Sequence, residues 1–189
     1  MNQIMSRGWI DSLLSPHRFN DVTRIADSTK ANEFFRESKL KLIQPKTWVQ
    51  PVNFDSCNKI TCFDRYGFEI DRPIIVGDKL KLNFNYEIYG RNILWLRIIE
   101  LTIIKELDGY EEEIFLLLQE TEYDCLIHLN NTSISSGECA ITLKRLINTI
   151  SLDMKIKPAL NNSLFEQSDH SLMLQFNWKR LMKNILSQL

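Results

Sequence analysis

The chain has 189 residues, 44% of them hydrophobic and 25% charged, and a formal net charge of −1. This length and composition fit one globular domain with an appendage, large enough to bury a core without a disulfide or metal staple. The 23 basic residues are scattered, which leaves no electrostatic footprint for nucleic acid. The N-terminal MNQIMSRGWIDSLL holds no apolar run of signal-peptide or membrane-spanning length, so the expected setting is the reducing cytoplasm, away from membranes.

Residues 1–18 read as a lead-in, with Trp9, Ile10, Leu13 and Leu14 as a docking stripe. Asn20 or Asp21 is expected to cap a helix running through Val22, Ile25 and Ala26. A second helix is expected over Thr29–Leu42, because Ala31, Phe34, Phe35, Ser38 and Leu42 recur on one side at helical spacing. Pro45 stops it, since proline removes a donor and restricts the residue before it. Trp48–Phe54 reads as extended, Asp55–Asn58 as a turn, and Ile60–Ile70 as an edge strand that Pro73 keeps short.

Three long strands then dominate. Over Lys79–Tyr89, Leu80, Leu82, Phe84, Tyr86 and Ile88 alternate with polar residues, so one face is buried and the other wet. Gly90-Arg91 breaks the run, and Ile93–Lys105 follows as a strand apolar on both faces, suited to the middle of a sheet covered on both sides. Asp108-Gly109 signals a hairpin, and Glu113–Ile127 returns antiparallel. Beyond a polar loop at Asn130–Gly137, Ser136 is expected to cap a helix through Ala140, Leu143, Leu146, Ile147 and Ile150. Asp153–Ser168 shows little periodicity. Leu181, Met182, Ile185, Leu186 and Leu189 then define an amphipathic C-terminal helix, which either docks on its own domain or binds a protein partner.

The chemistry-bearing residues are sparse. Cys57 and Cys62 are separated by four residues and no second close pair completes a zinc set, so the four cysteines read as free thiols, with Cys125 buried in its strand. Asp124 and His128 would share a strand face without meeting, and His17 and His170 lack neighbours at ligand spacing beyond Asp21 and Asp169. Glu111, Glu112 and Glu113 read as a solvated charge run beside a turn. No nucleophile elbow, phosphate loop or dinucleotide fingerprint is present, so no cofactor is expected.

One order of motifs stands out. RPIIVGDKLKL at Arg72–Leu82, followed by Gly90 and by Asp108-Gly109 between strands, resembles the hotdog fold in its MaoC-like dehydratase branch. Upstream, IQPKTWVQPVNF at Ile43–Phe54 looks like the segment after that family's central helix. The resemblance covers residues 20–128 and implies an α+β domain at 19–130: a long antiparallel sheet wrapped around a helix, with residues 131–189 as a C-terminal helical extension. The family's Asp/His pair, which moves a proton at the β-position of an acyl thioester, would fall on Asp27 and Asn32. An asparagine takes up no proton near neutral pH, so the pair is incomplete. Asp27 also has a simpler role as a helix cap. The resemblance further implies Pro45, Thr47 and Trp48 beside the substrate. The expected function is binding of an acyl thioester, on coenzyme A or a carrier protein, by a catalytically incomplete subunit in a homodimer or heterodimer. Hydration or dehydration would need a partner chain. The alternative is a non-enzymatic protein–protein interaction module, such as an immunity, adaptor or assembly factor.

Overall fold

The computed structural model describes residues 17–49, 57–88, 91–105, 111–121, 137–157 and 176–187. Seven strands form one sheet there: β1 (His17–Arg24), β2 (Cys57–Phe63), β3 (Lys79–Ile88), β4 (Arg91–Lys105), β5 (Glu111–Thr121), β6 (Glu138–Leu146) and β7 (Thr149–Lys157). Every pairing is antiparallel, in the order β1-β7-β6-β5-β4-β3-β2. Strands β2 to β7 thus follow one another as a meander, and β1 crosses over to pair with β7. Helix α1 (Ser28–Ile43), a 3-10 turn at Pro45–Trp48 and helix α2 (Trp178–Ile185) complete the described elements.

The inner face follows from alternation. Leu80, Leu82 and Phe84 on β3 meet Leu94, Leu96 and Ile98 on β4 and Ile114, Leu116 and Leu118 on β5, all buried. Cys139, Ile141 and Leu143 on β6 and Ile150, Leu152, Met154 and Ile156 on β7 extend the same surface. Two buried arrays close it. Ala31, Phe34, Phe35, Ser38 and Leu42 line one side of α1, as their spacing predicts, and Trp178, Leu181, Met182 and Ile185 line one side of α2. Burial at roughly 2 kcal/mol for each large apolar side chain makes this shared core the main source of stability.

The hotdog-like expectation is overturned by this topology. The sheet is a seven-stranded meander with a crossover from β1 to β7, and its apolar face is shared by α1, the 3-10 turn and α2 rather than wrapped around one central helix. The helical extension also fails as a whole, because β6 and β7 are inner strands of the sheet and only α2 is helical among the described residues beyond 130. Glu138–Leu146 and Thr149–Lys157 bury every second residue, a period that a helix cannot satisfy. Nor is His17–Arg24 a helix. Its eight residues pair one for one with residues 149–156 of β7, and that ladder, together with β-branched Val22 and Thr23, outweighs the capping tendency of Asn20 and Asp21.

Two local details set the geometry of the foot of the sheet. Between Ile98 and Glu100 the β4–β5 register shifts by one residue, a bulge that reverses the phase of β4. Inward positions therefore change from 94, 96 and 98 to 101, 103 and 105. At the β6–β7 turn, Ile147 takes φ 54°, a conformation β-branched residues rarely adopt. Asn148 holds that turn in place: its carbonyl accepts from Ile25 N–H at 2.9 Å and its Nδ2 donates to Ala26 O at 3.2 Å.

Candidate functional site

Because of the bulge, Lys105 faces inward in the terminal rung of the sheet, in register with Glu112 of β5, which in turn pairs with Arg145 of β6. Helix α1 crosses this rung. Lys39 reaches Glu112 Oε1 at 3.2 Å, and the Arg145 guanidinium lies 5.8 Å above the ring of Phe35. A cleft of about 330 Å³ opens between helix and rung, lined by Asn32, Phe35, Arg36, Lys39, Leu40, Lys105 and Glu112. Three cations thus meet one carboxylate, with an aromatic ring and a leucine as walls. Glu112 is already engaged by Lys39 and its side chain is only 12% exposed. Arg36 and Lys105 have no ion-pair or hydrogen-bond partner among the described residues. Two cations without a partner among the described residues, beside apolar walls, suit an anionic group attached to an apolar body.

The helix bearing these residues is held firmly. Asp27 caps α1, its Oδ1 accepting from Lys30 N–H at 2.9 Å. At the other end, Trp48 Nε1 donates to Lys41 O at 3.0 Å. Lys41 Nζ in turn donates to Asn184 O at 3.3 Å and to Ser187 O and Oγ, putting a cation on the carbonyl end of α2. Burial lowers the Lys41 pKa, and the nearby Glu37 carboxylate partly opposes that shift. Asn184 Nδ2 closes the clasp by donating to Trp48 O at 3.2 Å.

The residues singled out from sequence do not converge. Asp27 is an exposed cap, Thr47 is exposed with Oγ1 donating to Gln44 O at 2.8 Å, and Pro45 and Trp48 are buried. Asn32 alone of the five lines the cleft. Asp124, Cys125, His128 and His170 lie outside the described residues. The glutamate run is not a solvated patch: Glu111 and Glu113 pair with Lys144 across the strands, and Glu112 faces the cleft. Sequence reading missed Arg36, Lys39, Lys105 and Glu112. Strict alternation of β6 and β7 could have placed Arg145 in the rung.

The described cysteines offer no nucleophile. Burial pushes the thiols of Cys57 and Cys62 up to about 11 and that of Cys139 well above its usual range, so all three stay protonated near neutrality. Among the described residues no group of three or more His, Cys, Asp and Glu could hold a metal ion. The apolar side of α2, expected either to dock or to bind a partner, is packed inside its own chain. No described helix is long and apolar enough to cross a membrane, a statement that does not bear on β-barrels.

No protein-family model and no curated protein sequence matches the chain. Among solved structures it is similar to the hypothetical protein jhp0584 from Helicobacter pylori, at 9% identity and a TM-score of 0.51, over 98% of this chain and 95% of that one. This likeness concerns the fold alone. Ara h 8.0201 aligns at 8% identity and a TM-score of 0.44, over 90% of this chain and 95% of its own. A START superfamily protein from Mycobacterium smegmatis aligns at 14% and 0.42, over 90% and 94%. These two similarities are too low to carry an argument. The topology therefore defines the class: an α+β helix-grip arrangement, a seven-stranded antiparallel sheet closing on a C-terminal helix. The MaoC-like hotdog resemblance is overturned with it, and the short motifs that suggested it are turn and strand signals that many folds share.

Proposed function

We propose that this protein is a non-catalytic binding protein for a small anionic amphiphile, an acyl chain bearing a carboxylate or phosphate group, acyl thioesters of coenzyme A among them. The observation that carries the reading is the pairing of Arg36 and Lys105 with Phe35 and Leu40 around one cleft. The two cations take the head group by charge-assisted hydrogen bonds, and the apolar walls take the start of the chain. As free cysteines, the described thiols are consistent with a reducing cytoplasmic setting.

The test is calorimetric titration of the full chain with a fatty acid, an acyl-coenzyme A and a neutral alcohol of equal chain length. Binding of the anions, absent for the alcohol and weakened at least tenfold in Arg36→Ala/Lys105→Ala, is the expected result. Equal binding of alcohol and acid, or an unchanged affinity in the double variant, would overturn the reading.

A further inference from the structure

The cleft at the foot of the sheet carries a definite charge count. Among the described residues its lining sets the cations of Arg36, Lys39 and Lys105 against the one carboxylate of Glu112. Two positive charges are left over. Glu112 is committed on the inner side, where it holds Lys39 at 3.2 Å with its own side chain only 12% exposed. Along the terminal rung it stands in register between Lys105 and Arg145. Arg145 is buried, with its guanidinium 5.8 Å from the ring centre of Phe35. The carboxylate thus has cations on both neighbouring strands and on α1, and the surplus stays with Arg36 and Lys105.

The donors are arranged as definitely as the charge. Asn32 and Arg36 are four residues apart on α1 and therefore stand one above the other on one side of the helix. Lys105 comes from β4, on the other wall of the same cleft. None of these three side chains has a partner among the described residues. Three sets of N–H donors therefore approach one space from two walls. A carboxylate offers them two oxygens in one plane and a single charge. A phosphate monoester offers three acceptor oxygens, tetrahedrally disposed, and roughly −1.5 to −2 charges at pH 7. The monoester matches both the number of donors and the surplus of charge.

We propose that this cleft is a site for the doubly charged phosphate of a monoester, with Asn32, Arg36 and Lys105 as its donors. The proposal rests on the anion-binding reading above and narrows it to one head group. At about 330 Å³ the cleft lies at the small end of ligand sites, which run roughly from 300 to 1,000 Å³. It takes the phosphate and the first carbons of its ester, and Phe35 and Leu40 are the walls those carbons meet.

Calorimetric titration of the full chain with hexyl phosphate, hexyl sulfate and inorganic phosphate tests this. The sulfate ester keeps the tetrahedral shape and the chain but carries one charge. Hexyl phosphate is expected to bind at least tenfold more tightly than hexyl sulfate at pH 7.5, and the ratio should fall towards one at pH 5, below the second phosphate pKa of about 6. Protonation of Glu112 at lower pH strengthens both ligands, so the ratio follows the second phosphate charge. Asn32→Asp removes one charge of the surplus and should also bring the ratio towards one. Inorganic phosphate should bind at least tenfold more weakly than hexyl phosphate, because it leaves Phe35 and Leu40 unused. Equal affinity for the phosphate and sulfate esters overturns the proposal and leaves the anion-binding reading standing. Binding of neither ester overturns both. Inorganic phosphate binding as tightly as its ester would make the cleft a site for free phosphate and overturn the monoester.

Discussion

The foot of the sheet and the β2–β3 loop handle charge in opposite ways. In the loop, Asp64 takes backbone donors, Asp78 takes Arg72, and Glu69 and Asp71 pair with Lys46, while the rings of Tyr66 and Phe68 stay exposed. At the foot, Glu112 pairs with Lys39 of α1, while Arg36 and Lys105 are left without a partner among the described residues. Locally closed charge frees a surface for apolar contact, whereas charge assembled from distant elements leaves an imbalance that a ligand can use.

The largest break in this comparison is expected from Trp48→Ala. It removes a fully buried ring and the donor that ties the 3-10 turn to Lys41, for about 3–5 kcal/mol in urea unfolding. Loss of ligand binding together with an intact Tyr66–Phe68 turn, read by amide exchange on partly destabilised protein, would show that the two regions fail separately. Asp78→Ala should come next, at about 2 kcal/mol. Arg72 is part-exposed and tolerates the loss, but Ile75 N–H loses its acceptor. Exchange should speed up across residues 64–78 and leave affinity at the foot unchanged.

Glu112→Gln sharpens the contrast from the other side. Removing the one carboxylate among the described residues lining the cleft should tighten anion binding about fivefold, on the order of 1 kcal/mol, at a similar or smaller cost in stability from the loss of the Lys39 pair. Weaker binding in that variant would mean that Glu112 itself touches the ligand. Asp27→Ala is the smallest change, about 1 kcal/mol of helix-cap stability with no effect on ligand affinity. A greater loss of binding than of stability would restore a functional role to Asp27.

How far the sequence could be read varied by element. The inner face of α1 was legible to the residue, because an apolar stripe at helical spacing has one reading when a cap precedes it and a proline follows. The cores of β3 to β5 were legible from alternation and turns. β7 carried the same signal in Ile150, Leu152, Met154 and Ile156, but Leu143, Leu146, Ile147 and Ile150 also fit a helical spacing, and that competing period hid the hairpin. The cleft was hidden more deeply. Lys105 faces inward only because one residue bulges near Ile98, and a one-residue slip exchanges the faces of a strand. A propensity or a spacing does not reveal such a shift.

By itself, then, the sequence determined the elements whose patterns are local: α1 with its cap and its stop, the three central strands, and the apolar side of α2. Tertiary structure decided what those patterns are for. Pairing between β1 and β7, more than a hundred residues apart, made a strand of a stretch with capping residues. The bulge in β4 and the crossing of α1 gathered residues 36, 39, 105 and 112 around one cleft. Local periodicity reports which face of an element is apolar, and only the closing of the sheet on its helices determines which charges are left facing one another.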